Sequence, residues 1–179
     1  MSNMNWTCKT FNELSSSELY HILRARSAVF VVEQSCVRLD IDGKDERAVH
    51  LFAHESAPMP IAAYARLSVN DDDEPEVLVD RLFTSAQRRG DGTAERLLEH
   101  LQREVAGRWP GHLVRLSAPT FLKAFYEQFR FRKVDGPYLD YGMPHIGMSW
   151  RAPSGLDAVM QPMHDAQMPV RAPSSLGML

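Results

Sequence analysis

A mixed α/β fold of the α+β kind is predicted by three features of this chain. Residues 48–55, 61–69 and 77–84 read as strands separated by turn residues, which predicts an antiparallel meander. A short basic glycine loop, residues 85–92, joins the last of these strands to a helix-period segment. Beyond it, helical and strand patterns alternate, which favours parallel neighbours within the same sheet.

The elements follow in order. Residues 6–11 alternate loosely and read as a first strand. Ser15 and Glu18 form a capping box, flanked by a hydrophobic staple of Leu14 and Leu19, so a helix starts there. Leu19, Ile22, Leu23 and Val29 continue its apolar stripe. The apolar, β-branched run Val29-Phe30-Val31-Val32-Glu33-Gln34 predicts that the helix frays or ends within it. Residues 40–46 form an acidic, turn-rich loop in which Asp45 and Glu46 read as solvated. The meander strands are separated by residues 56–60 and by the acidic turn 70–75. After the glycine loop, Ala94, Leu97, Leu98, Leu101 and Val105 share one helical face, with Gly107 and Pro110 as the stop. Residues 113–117 read as a strand, 121–129 as a helix, and 131–134 as the start of another strand. From 151 to 179 the chain is rich in Pro, Ser and Met. We read residues 1–150 as one domain and 151–179 as a disordered or loosely packed tail.

Composition narrows the function. The chain has 179 residues and a net charge of −3, so it carries no basic field of the kind that binds nucleic acid. No apolar run reaches the roughly 18–20 residues of a membrane span. Residues 1–6 have no apolar signal core, and Cys8 and Cys36 make neither a disulfide framework nor a zinc spacing. A cytoplasmic protein without a metal is expected, and its oligomeric state is left open.

Chemistry concentrates between Leu82 and Ala94. A glycine loop entering a helix presents backbone N–H groups to an anion, and Arg88 and Arg89 add charge-assisted donors. A diphosphate-bearing ligand fits. A Walker site needs Lys-Ser/Thr after its second glycine, whereas Thr93-Ala94 follow Gly92. A dinucleotide fingerprint needs a third glycine in an early βαβ unit, which is absent. The competing reading is a plain strand-to-helix turn with solvated arginines.

The loop resembles the acetyl-coenzyme A loop of the Gcn5-related N-acetyltransferases, whose pattern is Arg/Gln-x-x-Gly-x-Gly/Ala. It fits as Arg89-x-x-Gly92-x-Ala94, followed by Leu97-Leu98, and also in the register Gln87-x-x-Gly90-x-Gly92. Phe125-Tyr126 with Phe131 matches the family's Phe-Tyr-x-x-x-Gly-Phe, with Arg130 in place of the glycine. A left-handed arginine there would cost about 1 kcal/mol or more. Residues 26–34 with Asp40-Ile41-Asp42, and residues 142–148, are similar to the ElaA-like branch of the family.

The resemblance implies a mostly antiparallel central sheet with helices on both faces and strands splayed at the cofactor. It implies transfer of an acetyl group from acetyl-coenzyme A directly to a primary amine, carried by a small molecule or peptide. Main chain at Leu82, Phe83 and Thr84 would hold the pantetheine arm and the thioester oxygen. Residues Arg89, Gly90, Asp91, Gly92, Thr93 and Ala94 would hold the diphosphate, with Arg88 or Arg89 reaching the ribose phosphate. The Asp91 side chain is expected to face solvent. Tyr126 is the expected proton donor to the departing thiolate; core packing is its competing role. Glu33 is the expected base, on the ground that a buried-looking run precedes it. Asp40, Asp42 and His145 are alternatives or acceptor contacts. Two other readings stay open: an acyl-coenzyme A sensor without turnover, and a long-chain acyltransferase, since residues 26–33 also resemble acyl-homoserine lactone synthases.

Overall fold

A computed structural model describes residues 4–154 except 36, 38, 56–59 and 71–74. The strands are β1 (Asn5–Thr10), β2 (Val49–His54), β3 (Ile61–Asn70), β4 (Glu76–Thr84), β5 (Leu113–Pro119), β6 (Arg132–Asp140) and β7 (Met143–Arg151). The helices are α1 (Ser16–Arg26), α2 (Thr93–Arg108) and α3 (Lys123–Gln128). The strands form one seven-stranded sheet in the order β1-β2-β3-β4-β5-β7-β6. The pairs β1/β2, β2/β3, β5/β7 and β6/β7 are antiparallel. β4 and β5 are parallel, with a register from Glu76↔Leu113 to Val79↔Leu116. The paired stretch therefore stops short of Leu82.

The chain divides into two compact units. Among the described residues the first comprises 4–68 and 80–97. Its core is Ile22, Val29, Phe30, Phe52, Ile61, Tyr64 and Phe83, with Leu14 and Ala25 packed against it. Phe30 meets Phe83 edge-on, with ring centroids 5.7 Å apart. α1 starts as its sequence requires: Glu18 N–H donates to Ser15 Oγ, and Ser15 N–H to Glu18 Oε2. It ends within the expected run, at its far end. The helix widens into π-type turns over Ser27–Glu33 and ends at Gln34. Burial of Val29 and Phe30 holds this segment helical against the preference of its β-branched residues.

The second unit comprises residues 69–79 and 98–154. Val77 of β4, Leu98, Leu101 and Val105 of α2, Val114 and Ala118 of β5, Phe131 and Met148 are its fully buried apolar side chains among the described residues. Arg130 takes the left-handed conformation, φ 66°, that the missing glycine implies. Its N–H donates to Glu127 O, and Phe131 N–H donates to Tyr126 O. These are the paired bonds of a Schellman ending. β7 is an element that the sequence pattern did not reveal. Pro144 and Gly147 interrupt its composition, yet its buried residues His145, Ile146, Met148 and Trp150 lie along a regular pairing with β5. Pairing-type contact continues past β7, since Ala152 N–H donates to His112 O at 2.9 Å. Residues 155–179 of the expected tail, Cys36 and most of both acidic and proline-rich turns lie outside the described residues.

Candidate active site

The segment from Leu82 to Ala94 leaves the first unit's core and enters α2. Phe83 and Thr84 are fully buried, and Leu82 nearly so. Ser85 N–H donates to Ala62 O at 2.8 Å and fixes the end of β4. A helical turn over Ala86–Arg88 follows, then Gly90 at φ 73° and Gly92 at φ 87°. A Cβ on Gly92 would meet nothing within 4 Å, so conformation rather than space demands glycine there. The first intrahelical bond of α2 runs from Arg96 N–H to Gly92 O, 3.2 Å. The Ala94 and Glu95 amides precede it in the first turn, where a helix has no carbonyl of its own to offer.

Both loop arginines hold carboxylates. Arg88 grips Glu55 through Nε at 2.7 Å and through Nη2, and it reaches Asp91 at 3.4 Å. Arg89 meets Glu33 through two nitrogens, at 2.7 and 2.9 Å. Asp91 is exposed but does not simply face solvent, because its Oδ1 accepts Thr93 N–H at 2.9 Å and caps the start of α2. Glu33 is exposed as well as paired, so the burial on which it was chosen is absent: the buried run ends at Phe30, and the next turns carry Glu33 outward. Two fully enclosed polar atoms here have no partner, Thr84 Oγ1 and Arg89 Nε. Beside the loop, an open pocket of about 570 Å³ is walled by Ala25 and Ala28 of the helical segment, Ile61 and Ala62 of β3, and Gln87 and Arg88.

The acidic loop does different work from that expected. Asp40 and Asp45 are buried, and Asp45 is not solvated. The fully buried Arg26 donates to Asp40 at 2.9 Å and to Asp45 at 2.5 Å. The equally buried Arg66 takes both oxygens of Asp42, at 2.7 and 2.9 Å, and both of Asp80, each at 2.7 Å. The Arg66 guanidinium holds the Asp42 carboxyl well below the usual carboxylate range. Asp40 and Asp42 are thus committed to arginines rather than open to a cationic acceptor. Their alternation with apolar residues in the sequence concealed this, because the matching arginines lie far along the chain. Behind the cluster, His50 Nε2 lies 3.0 Å from Asp45 O and its Nδ1 lies 2.8 Å from Tyr64 Oη. Burial pushes His50 down, so it stays neutral, with Nε2 as donor and Nδ1 accepting the tyrosine proton.

Tyr126 lies in the second unit, on α3. It is buried between Phe125 and Phe131, whose ring centroids are 5.4 and 5.9 Å away. Burial pushes its phenol upward, which keeps it protonated at neutral pH. His145 of β7 is also buried, and its Nδ1 lies 2.9 Å from Met143 O. Sequence reasoning missed Glu55 and Arg66. A charge set in the apolar strand Ala62–Leu67 was the available signal for Arg66; nothing local marked Glu55. Among the described residues, no group of three or more His, Cys, Asp or Glu is arranged to hold a metal, and no helix is long and apolar enough to cross a membrane.

A seven-stranded mixed sheet whose fourth strand opens through a glycine loop onto a helix is the frame of an acyl-coenzyme A N-acyltransferase. The family model described as "Acetyltransferase (GNAT) domain" matches residues 16–152, and the chain belongs to that family. Within it, the chain falls in the ElaA-like branch. It is 36% identical to Escherichia coli ElaA, whose crystal structure superposes with a TM-score of 0.78 over 82% of this chain and 99% of that one. An acyl-CoA N-acyltransferase from Pseudomonas aeruginosa is also 36% identical, with a TM-score of 0.76 over the same shares. A UPF0039 protein of Synechocystis is 36% identical over 150 residues, which is 84% of this chain and 97% of that protein.

Proposed function

We propose that this protein transfers an acetyl group from acetyl-coenzyme A directly to a primary amine. The observation that carries the reading is the glycine loop itself: left-handed residues at Gly90 and Gly92 lead into α2 directly after Arg88 and Arg89. Such a loop presents backbone N–H groups and cationic side chains to an anion, and Arg89 Nε, which is buried without a partner, gains one when the guanidinium turns to phosphate. The amides from Gly90 to Ala94 cradle the diphosphate in this reading. Arg89 turns from Glu33 to phosphate, and Arg88 serves the ribose phosphate at the rim. Main chain of Leu82, Phe83 and Thr84 holds the pantetheine arm and donates to the thioester oxygen as negative charge gathers there.

Glu33, released by Arg89, takes the proton of the incoming ammonium, directly or through water. The neutral amine nitrogen then bonds to the thioester carbonyl carbon, and the carbon–sulfur bond breaks. Tyr126 gives its proton to the departing thiolate and is reprotonated from solvent. Burial keeps the phenol protonated at neutral pH, and because it also makes the phenol a weaker acid, the transfer depends on the forming thiolate lying within hydrogen-bond reach. His145 contacts the acceptor. The activity fits a protein of the cytoplasm, where acetyl-coenzyme A is available. A thiol-release assay with acetyl-coenzyme A and a panel of small and peptidic amines tests the reading. Turnover with at least one primary amine is expected; release by water alone, with no acetylated amine by mass spectrometry, would overturn it.

A further inference from the structure

Asp80 and Arg81 are neighbours in β4, yet both side chains enter one charged cluster. Successive side chains of a regular strand point to opposite faces. Here they do not, because Arg81 sits at φ 52°, in the left-handed region that non-glycine residues avoid. Strain of that kind persists only where the surroundings over-determine it. They do so here. Arg81 Nε donates to Asp40 Oδ1 at 2.6 Å, and Nη2 reaches Asp42 Oδ2 at 3.2 Å. Those acids are themselves fixed from behind, Asp40 by Arg26 and Asp42 by Arg66. Arg66 also takes both oxygens of Asp80. The cluster thus grips two consecutive positions of β4 from one side, and the backbone between them must turn.

We infer that Arg81 is a positioning residue: its guanidinium, clamped by Asp40 and Asp42, holds the kink in β4 that aims the peptide groups of Leu82, Phe83 and Thr84. The inference rests on the proposed function for what those groups do. It accounts for an arginine where glycine would adopt the same φ without strain. It also gives the buried Arg26 and Arg66 a task beyond stability, since replacing buried ion pairs with apolar residues often stabilises proteins. The segment is pinned at its other end by Ser85 N–H on Ala62 O, 2.8 Å. Residues 82–84 therefore lie between two fixed points in a strand that neighbours β3 on one side, while the paired register with β5 on the other has already ended at Val79.

The test is R81G, which accepts the backbone conformation and removes only the clamp. Amide hydrogen exchange at Leu82–Thr84 should quicken about tenfold or more, while the amides of β2 stay as in wild type. That readout needs no activity, so it stands even if no amine acceptor is found. In the acetyl-transfer assay, kcat should fall about 10- to 100-fold, with the dissociation constant for coenzyme A weakened by a smaller factor, because the diphosphate loop is left intact. R81K, which keeps charge but not the fork, should fall between. If R81G does not fold, R81K and D40N carry the same two measurements. Wild-type exchange at residues 82–84 would overturn the inference, as would wild-type kcat in R81G. Faster exchange with no turnover in wild type would leave the clamp standing and remove the proposed reaction.

Discussion

Glu33→Gln should tighten coenzyme A binding, although it removes the proposed base. Arg89 holds Glu33 through two nitrogens at 2.7 and 2.9 Å, with the arginine mostly enclosed and the acid about one-third exposed. Pairs in such partly exposed settings contribute about 0.2–1 kcal/mol. A charge-assisted bond from Arg89 to phosphate contributes about 1.5–3 kcal/mol. Binding must give up the first to gain the second, so removing the carboxylate should tighten the dissociation constant by up to about fivefold. Arg89→Ala loses only the difference between the two, about 0.5–2.8 kcal/mol, and should weaken it by about 2- to 100-fold. In the Arg89→Ala background, Glu33→Gln should do nothing, so the cycle isolates the pair. Titration calorimetry with coenzyme A at low salt measures all four proteins, and added salt should shrink the Glu33→Gln effect. An unchanged or weaker constant in Glu33→Gln, or equal tightening without Arg89, would refute the exchange of partners.

Other outcomes follow from the same geometry. Tyr126→Phe should lower kcat about 10²- to 10⁴-fold while leaving coenzyme A affinity intact, measured by thiol release and calorimetry; unchanged turnover would remove the phenol as proton donor. Arg130→Gly should raise unfolding free energy by up to about 1 kcal/mol, because glycine takes φ 66° without the Cβ penalty. A lower melting temperature would show that the arginine's contacts outweigh its strain. Asp45→Asn should cost about 3–5 kcal/mol, since it leaves buried Arg26 and Arg66 short of a counter-charge. Stability should also fall in acid in two stages. Burial holds His50 below its ordinary 6.5, so the unfolded chain takes a proton that the folded one refuses. Its contribution is complete above about pH 6.5 and is lost as pH falls toward the lowered folded value. The depressed Asp42 adds stability that is present above its ordinary 3.8 and is lost below it. Urea unfolding across this range checks both; a flat profile between about pH 7 and 5 would exclude His50.

Local rules located much of this fold. The capping box at Ser15 and Glu18, the punctuated meander, and the left-handed residue at Arg130 all depend on neighbours within a few positions, so the sequence exposes them. The glycine loop was legible for the same reason. What the sequence hid was long-range. Asp40, Asp42 and Asp45 look like a hydrated turn until Arg26, Arg66 and Arg81 arrive from α1, β3 and β4. Glu33 looks buried because the apolar run before it is continuous, whereas the π-type turns direct Val29 and Phe30 inward and Glu33 toward Arg89. β7 escaped notice because Pro144 and Gly147 weaken its β-propensity, while pairing with β5 and β6 supplies what propensity lacks.

A crystal structure of the protein with coenzyme A bound tests the account most directly. The account predicts the diphosphate on the amides of Gly90–Ala94, Arg89 swung from Glu33 to phosphate, and the coenzyme sulfur within hydrogen-bond reach of Tyr126 Oη. A diphosphate held elsewhere, with the Arg89–Glu33 pair still closed, would contradict it.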